Sequence, residues 1–296
     1  MQAAADTTSP HMPPGYHHCL ILSKVMAHLE DSHSIQIRQA RPHHYKGILA
    51  NVLYNTMGKI ISGVMTDVTV YLTVCHSLLL PCHFSGLPGR ITVESLLRLT
   101  HCVKLAWQRC KVVIIIFLNI ANAFPNAVMG RLLKNMTKLG YPTEIIAFFS
   151  AMLDQRKTML SFDDYSSLPI DIDNGIGQGE TASMILYLIY SYDLVAIPKG
   201  RQEDGGAYVD DNFFMAIGDS FEECDITLND MLDKQTAWSV AYNSHAELSK
   251  FQCLRLTRCK DVAHADFTHR HTQHTIKCVT DACLLGVQID QKLQWH

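Results

Sequence analysis

Hydrophobic positions along this chain switch between a helical and a strand-like period, and the pattern starts only after an irregular stretch. Residues 1–44 hold Pro10, Pro13, Pro14 and repeated His-His pairs, so they read as an N-terminal arm, partly disordered, with one short helix over Leu20–Glu30. From Met57 to Leu80, apolar residues recur at helical spacing: Ile60, Ile61, Val64, Met65, Val68, Tyr71 and Leu72. A Gly/Pro loop, Phe84–Arg90, follows. Thr92 is the expected N-cap of a second helix ending near Arg109, with Leu96, Leu97, Leu99, Val103, Ala106 and Trp107 on its apolar face.

Val112–Leu118 is an unbroken apolar run rich in β-branched residues, the pattern of a strand covered on both faces. Asn126 is expected to cap a helix reaching Leu139, where Gly140 ends it, and another helix follows Pro142 to about Leu153. Lys157–Phe162 and Leu168–Asp173 alternate like a hairpin. Asn174–Gly179 is a glycine-rich turn that opens an apolar helix over Thr181–Asp193. A hairpin is expected over Ala207–Ile217, then a helix over Phe221–Tyr242 with Cys224, Leu228, Leu232 and Trp238 on one face. Glu247–Leu256 and Thr275–Val279 read as strands, and Leu284–Asp290 closes the series. Because paired helices fall between strands, the fold class is α+β rather than a strict βαβ alternation.

Composition narrows the function classes. With 48% hydrophobic and 18% charged residues in 296, the chain is neither fibrous nor a disordered polar tract. A net charge of −3 argues against a uniformly basic nucleic-acid surface, while leaving a local basic groove open. Ten cysteines lie at scattered spacings without a Cys-x-x-Cys, which excludes a zinc ribbon and suits an intracellular, reducing compartment, the nucleus or cytoplasm. No basic start followed by an apolar run marks a signal peptide. Val112–Leu118 and Met184–Ile197 are too short or too interrupted for a bilayer span of about 20 residues, so no membrane role is expected.

The chemistry concentrates at Tyr208-Val209-Asp210-Asp211. Adjacent carboxylates at a hairpin tip repel each other unless cations sit beside them. A site that activates a hydroxyl and a leaving phosphate with paired ions about 3.5–4 Å apart needs such anionic oxygens. A polar turn gives the same residues a purely structural use. His269, His271 and His274 lie close in sequence but without a ligand pattern.

The order of these pieces is specific. Phe117-Leu118-Asn119-Ile120 leads into Ala123-Phe124-Pro125-Asn126; Gly177-Gln178-Gly179 opens a helix; Tyr208–Asp211 follows; then come Glu247-Leu248-Ser249-Lys250 and Leu284-Leu285-Gly286. From about Tyr45 to Trp295 this resembles the reverse transcriptase domain of non-LTR retrotransposons, most closely the fungal versions. Asn55–Lys59 and Gly86–Thr92 look like its early fingers motifs.

The resemblance implies a right-hand palm for residues 45–296: an antiparallel sheet of Val112–Leu118, the Ala207–Ile217 hairpin and Glu247–Leu256. Helices 126–139, 181–193 and 221–242 would back it, with a fingers region over 45–110 and 155–175. It implies an RNA template, a DNA primer and dNTP as partners, and two Mg2+ ions as cofactors. Asp210 and Asp211 match the metal-binding hairpin pair. Phe124 matches the residue that excludes a ribose 2′-hydroxyl, and the backbone at Ala121–Ala123 would run beside the triphosphate. Gln178 matches a glutamine near the nucleotide, and Lys250 a lysine thought to protonate pyrophosphate. Arg90, or Lys46, would meet phosphates, and Leu284–Gly286 would lie in the primer grip.

Departures from the pattern point to impairment. Asn119 stands where the family has a metal-binding aspartate, and an amide oxygen cannot bridge two Mg2+ ions as a carboxylate does. Gly177 replaces a proline, the proline expected near Thr181 is missing, and Gly47 stands where the fingers motif often has proline. The sequence stops just past Leu284–Gly286, so the thumb is expected to be largely absent. The expected function is therefore nucleotidyl transfer by descent, impaired or lost. The alternatives are a non-catalytic nucleic-acid-binding relic and an unrelated α+β domain with an acidic turn.

Overall fold

The computed structural model describes residues 34–36, 51–53, 56–154, 156–162, 165–177, 179–258 and 265–294. The expected Leu20–Glu30 helix, Lys46, Gly47, Asn55, Gln178 and Trp295 lie outside the described residues. In chain order the elements are β1 (Ser34–Gln36), β2 (Asn51–Leu53), α1 (Thr56–Cys75), α2 (Thr92–Gln108), β3 (Val112–Asn119), α3 (Met129–Leu139) and α4 (Thr143–Leu153). Then come β4 (Arg156–Phe162), β5 (Tyr165–Ser166), β6 (Ile170–Ile172), α5 (Ser183–Tyr190), α6 (Tyr192–Val195), β7 (Glu203–Tyr208), β8 (Asp211–Gly218) and α7 (Phe221–Ala241). The chain continues with a 3-10 turn at Leu248–Lys250, β9 (Gln252–Leu256), β10 (Phe267–Thr268), β11 (Thr275–Ile276), β12 (Asp281–Leu284) and β13 (Val287–Asp290).

A four-stranded antiparallel sheet in the order β7-β8-β3-β9 forms the centre. Strand β3 is central because its side chains are apolar on both faces, and the period of two sends alternate residues to opposite layers. Ile114, Ile116 and Leu118 pack with α3, α4, α5 and α7 through Leu132, Phe148, Leu186 and Leu228. Val113, Ile115 and Phe117 pack with Leu99, Val103 and Trp107 of α2, and with Ala282, Leu284 and Ile289 of the β12–β13 hairpin. Helix α2, grouped by sequence with the region before the sheet, thus covers the sheet's second face. Its apolar stripe gives no partner by itself; the apolar second face of β3 supplies one.

A smaller sheet runs β2-β1-β4-β5, with β6 also pairing β4. Strand β1 lies parallel to β4, with Ser34 opposite Met159. The expected hairpin over 157–173 forms as β4 pairing both β5 and β6. Helix α1 is long and apolar enough to cross a membrane by length and composition, yet 44% of its most apolar window is buried, with Ile61, Met65 and Leu72 in the core.

Several boundaries move for local reasons. Helix α1 ends at Cys75, short of Leu80, because Ser77 takes a positive φ of 50° and the chain turns. Ile91, not Thr92, is the N-cap of α2, and no side chain caps it. Asn126 does not cap α3: Val128 does, while the Asn126 side chain donates to the Ala121 carbonyl. Gly140 ends α3 in the left-handed conformation as expected, with φ 82°. The Thr181–Asp193 helix begins at Ser183 and breaks at Ser191 into α5 and α6. The 247–256 strand is only Gln252–Leu256, because Leu248–Lys250 winds into a 3-10 turn. The Thr275–Val279 strand narrows to Thr275–Ile276, with a separate bridge at Cys278.

Candidate functional site

The site is built on the β7–β8 turn and the adjoining end of β3. Tyr208 pairs with Asp211, leaving Val209 and Asp210 as a two-residue turn. Val209 has φ 59°, an uncommon conformation for a β-branched residue. Such a strained turn persists only when its surroundings fix it. The Val209 amide donates to Ser85 Oγ at 3.1 Å. The Asp210 carbonyl accepts from Asn212 Nδ2 at 2.9 Å and from the Ile120 amide at 3.4 Å. The outcome is an exposed Asp210 side chain beside a half-buried Asp211.

Asn119 is the last residue of β3 and pairs directly with Asp211. Its side chain hydrogen-bonds the Asp211 carboxylate. Burial first, then the charge of Asp210, push the Asp211 carboxyl above its ordinary value, and the Asn119 bond opposes them. The carbonyl of Asn119 accepts from the Glu247 amide at 3.0 Å, and the Ala121 amide donates to the His245 carbonyl at 2.9 Å. These bonds anchor the end of β3 to the segment that leads to Lys250. Lys250 itself pairs with Glu247, Nζ to Oε2 at 2.7 Å, and stays largely exposed.

Residues 121–127 form a turn against which the glycine loop rests. Ala123 is buried and Phe124 half-buried. The Gly175 amide donates to the Ala127 carbonyl and the Ile176 amide to the Phe124 carbonyl, both at 2.8 Å. A Cβ on Gly175 would stand 2.6 Å from the Pro125 carbonyl oxygen, and its φ is +98°, so this position requires glycine. Buried Arg156, which the sequence pattern left outside the β4 strand, holds the same loop by donating to the Gly175 carbonyl. Arg90 is tied to its own loop, donating to the Pro81 carbonyl at 3.2 Å and lying 3.7 Å from Glu94.

Tyr187 of α5 is a site residue that sequence reading missed, because its spacing marks only a core position. Its ring meets that of Phe124 at 5.0 Å between centroids. Its hydroxyl is wholly buried and has no hydrogen-bond partner. Burial, then the negative charge of Asp210, raise the phenol above its ordinary range. Neighbouring Tyr190 bonds Tyr242 and Ser244 instead.

The structure thus brings together Asn119, Asp210 and Asp211, with Ala123 and Phe124 on the turn that follows β3. Among the described residues no group of three or more His, Cys, Asp or Glu could hold a metal. Asp171 and Asp173 lie exposed on and beside β6, in the other sheet. The three histidines serve other ends. His269 is buried against Asp233 at 3.0 Å, His271 lies 3.2 Å from the same carboxylate, and His274 reaches the Leu248 carbonyl. Leu285 and Gly286 make the β12–β13 turn, both with positive φ as a type I′ turn requires.

No family model matches the sequence, and no curated protein does. Among solved structures, the chain is similar to an apo telomerase from Candida tropicalis, truncated from its C-terminal domain, with a TM-score of 0.57 and 9% identity. The match covers 89% of this chain and 54% of the telomerase chain, so this chain spans about half that length. At this identity the likeness is one of fold: an antiparallel sheet backed by helices.

Proposed function

We propose that this chain is a reverse transcriptase-like domain of non-LTR retrotransposon type, made for RNA-directed DNA synthesis and impaired in it. The observation that carries the reading is the pairing of Asn119 with Asp211 beside a turn that presents Asp210. The telomerase-like fold supports it. In this reading the four-stranded sheet, with α2 on its second face, is a palm, the rest of residues 45–110 and 155–175 supply fingers, and residues 1–44 are an arm that adds β1 to the smaller sheet. Its ligands are an RNA template, a DNA primer and dNTP.

Each side chain then has a task. The Phe124 ring bounds the sugar, and the Ala123 backbone runs beside the triphosphate. Gln178 meets the nucleotide, and Arg90 a phosphate. Lys250 protonates the departing pyrophosphate after leaving Glu247. Asp210 and Asp211 would hold magnesium: burial first, then the adjacent Asp210 charge, raise the Asp211 carboxyl, and a divalent cation beside the pair would favour its ionised form. Two carboxylates suit one cation better than two, since the Asn119 amide contributes no charge and already engages Asp211. When bound, magnesium increases the acidity of the primer hydroxyl and neutralises charge on the leaving group.

Primer extension on poly(rA)/oligo(dT) with Mg2+ tests this, using the unmodified chain, Asn119→Asp, and Asn119→Asp combined with Asp210→Ala. Extension gained with Asn119→Asp and lost again with Asp210→Ala is the expected result. Extension by Asn119→Asp that survives the added Asp210→Ala, or extension by the unmodified chain as efficient as by Asn119→Asp, would sink the assignment.

A further inference from the structure

Away from the candidate site, two cysteines far apart in sequence meet side by side. Cys253 lies in β9 and Cys278 in the segment after β11, and they form a parallel bridge. The Cys253 amide donates to the Lys277 carbonyl at 3.1 Å, and the Val279 amide to the Cys253 carbonyl at 2.9 Å. Backbone bonds on both sides of the pair therefore fix its approach. Neighbouring strands lie about 4.7–4.9 Å apart, inside the Cα separation of roughly 4.4–6.8 Å that a disulfide spans. The two thiols are already hydrogen-bonded, and both are free.

We propose that Cys278 and Cys253 form a peroxide-reactive dithiol that closes into a disulfide, stapling β9 to the 277–279 segment. Cys278 is half-buried and reachable, whereas Cys253 is wholly buried, so the roles divide. The bond from Cys253 favours the Cys278 thiolate, and it makes Cys278 the more acidic of the two. The Cys278 thiolate attacks the outer oxygen of a hydroperoxide. The O–O bond breaks, an alcohol or water leaves after protonation, and Cys278 becomes a sulfenic acid. The Cys253 sulfur then attacks the Cys278 sulfur. An S–S bond forms, the S–O bond breaks, and the Cys253 proton leaves with the hydroxide as water. Two electrons pass from the thiol pair to the peroxide.

The consequence is mechanical. Strand β9 is an edge of the central sheet and pairs with β3, whose last residue is Asn119. Closing the 253–278 loop constrains the unfolded chain and holds that edge in place.

The test treats the full chain with hydrogen peroxide, blocks the remaining thiols with N-ethylmaleimide, and digests with trypsin without reductant. The expected product joins Phe251–Arg255 to Cys278–Lys292, with fragmentation placing the bond at Cys278 rather than Cys283. Cys278→Ser should abolish that product and Cys283→Ser should preserve it. The oxidised chain should melt roughly 5 °C higher than the reduced one. Full alkylation of Cys253 and Cys278 after peroxide treatment would overturn the proposal, as would a Cys253–Cys283 linkage of equal yield. Cys278→Ser retains the backbone pairing, so a loss of product in a variant with an unchanged reduced melting temperature reports chemistry and not unfolding.

Discussion

Asn119 lies directly opposite Asp211 across the β3–β8 pair, and its side-chain amide hydrogen-bonds the carboxylate that it faces. That contact gives the departure from the aspartate pattern a structural meaning. A neutral donor quiets one member of an otherwise repulsive acidic pair. A third carboxylate in the same place would add repulsion and remove the donor.

Asn119→Asp is therefore expected to destabilise the chain by about 1–2 kcal/mol in EDTA, because three anionic groups would converge without a counterion. Millimolar Mg2+ should restore much of the loss and should stabilise the variant more than the unmodified chain. Thermal melts in EDTA and in Mg2+ check this. Equal responses of the two proteins to Mg2+ would mean that position 119 does not belong to a cation site.

The raised Asp211 carboxyl fixes the sign of one pH effect. A carboxyl that binds its proton more tightly when folded favours folding at low pH, and that benefit is lost as pH rises through the folded value. Asp211→Asn should thus stabilise the chain near neutrality, with a gain that shrinks as pH falls towards the ordinary carboxylate range. Urea unfolding at several pH values measures it. A gain that grows on acidification would contradict the assigned direction.

Tyr187 and Tyr190 should respond oppositely to loss of their hydroxyls. Tyr187→Phe deletes a buried group without a partner, so it should stabilise the fold by about 1 kcal/mol. Tyr190→Phe deletes an oxygen that accepts from the Val128 amide at 3.2 Å and bonds Ser244, and should cost about 1–3 kcal/mol. Denaturant midpoints of the two variants, compared side by side, decide it. Destabilisation by Tyr187→Phe would reveal a partner for that hydroxyl.

Behind the sheet, the Arg255 guanidinium is buried and donates to both Asp225 oxygens, at 2.9 and 3.1 Å. Asp225→Ala leaves that charge without its counterion and is expected to cost about 3 kcal/mol. Pairing it with Arg255→Met should recover part of the loss, since the apolar stem can fill the space. A double variant as unstable as the single one would count against a charge-burial cause.

The amino-acid sequence determined the elements that carry the site. The Val112–Leu118 run had to be a strand covered on both faces, since it offers no polar side to water. The end of α3 was marked by Gly140, a residue suited to chain reversal, whereas the hairpin tips at Val209-Asp210 and Leu285-Gly286 turn on Val209 and Leu285, whose positive φ their residue types do not announce. The juxtaposed carboxylates were legible because adjacent charges need no folding to be neighbours. The tertiary structure alone decided which apolar faces meet. Helix α2 lies on the second face of the sheet, a placement its own stripe leaves open. The same holds for contacts between residues distant in the chain: Asn119 with Asp211, Ser85 with Val209, Arg156 with Gly175, and Cys253 with Cys278. A hydrophobic period says that a residue is buried, but the partner of a buried polar atom is set by strand register and helix packing, which come into being only when the chain has folded.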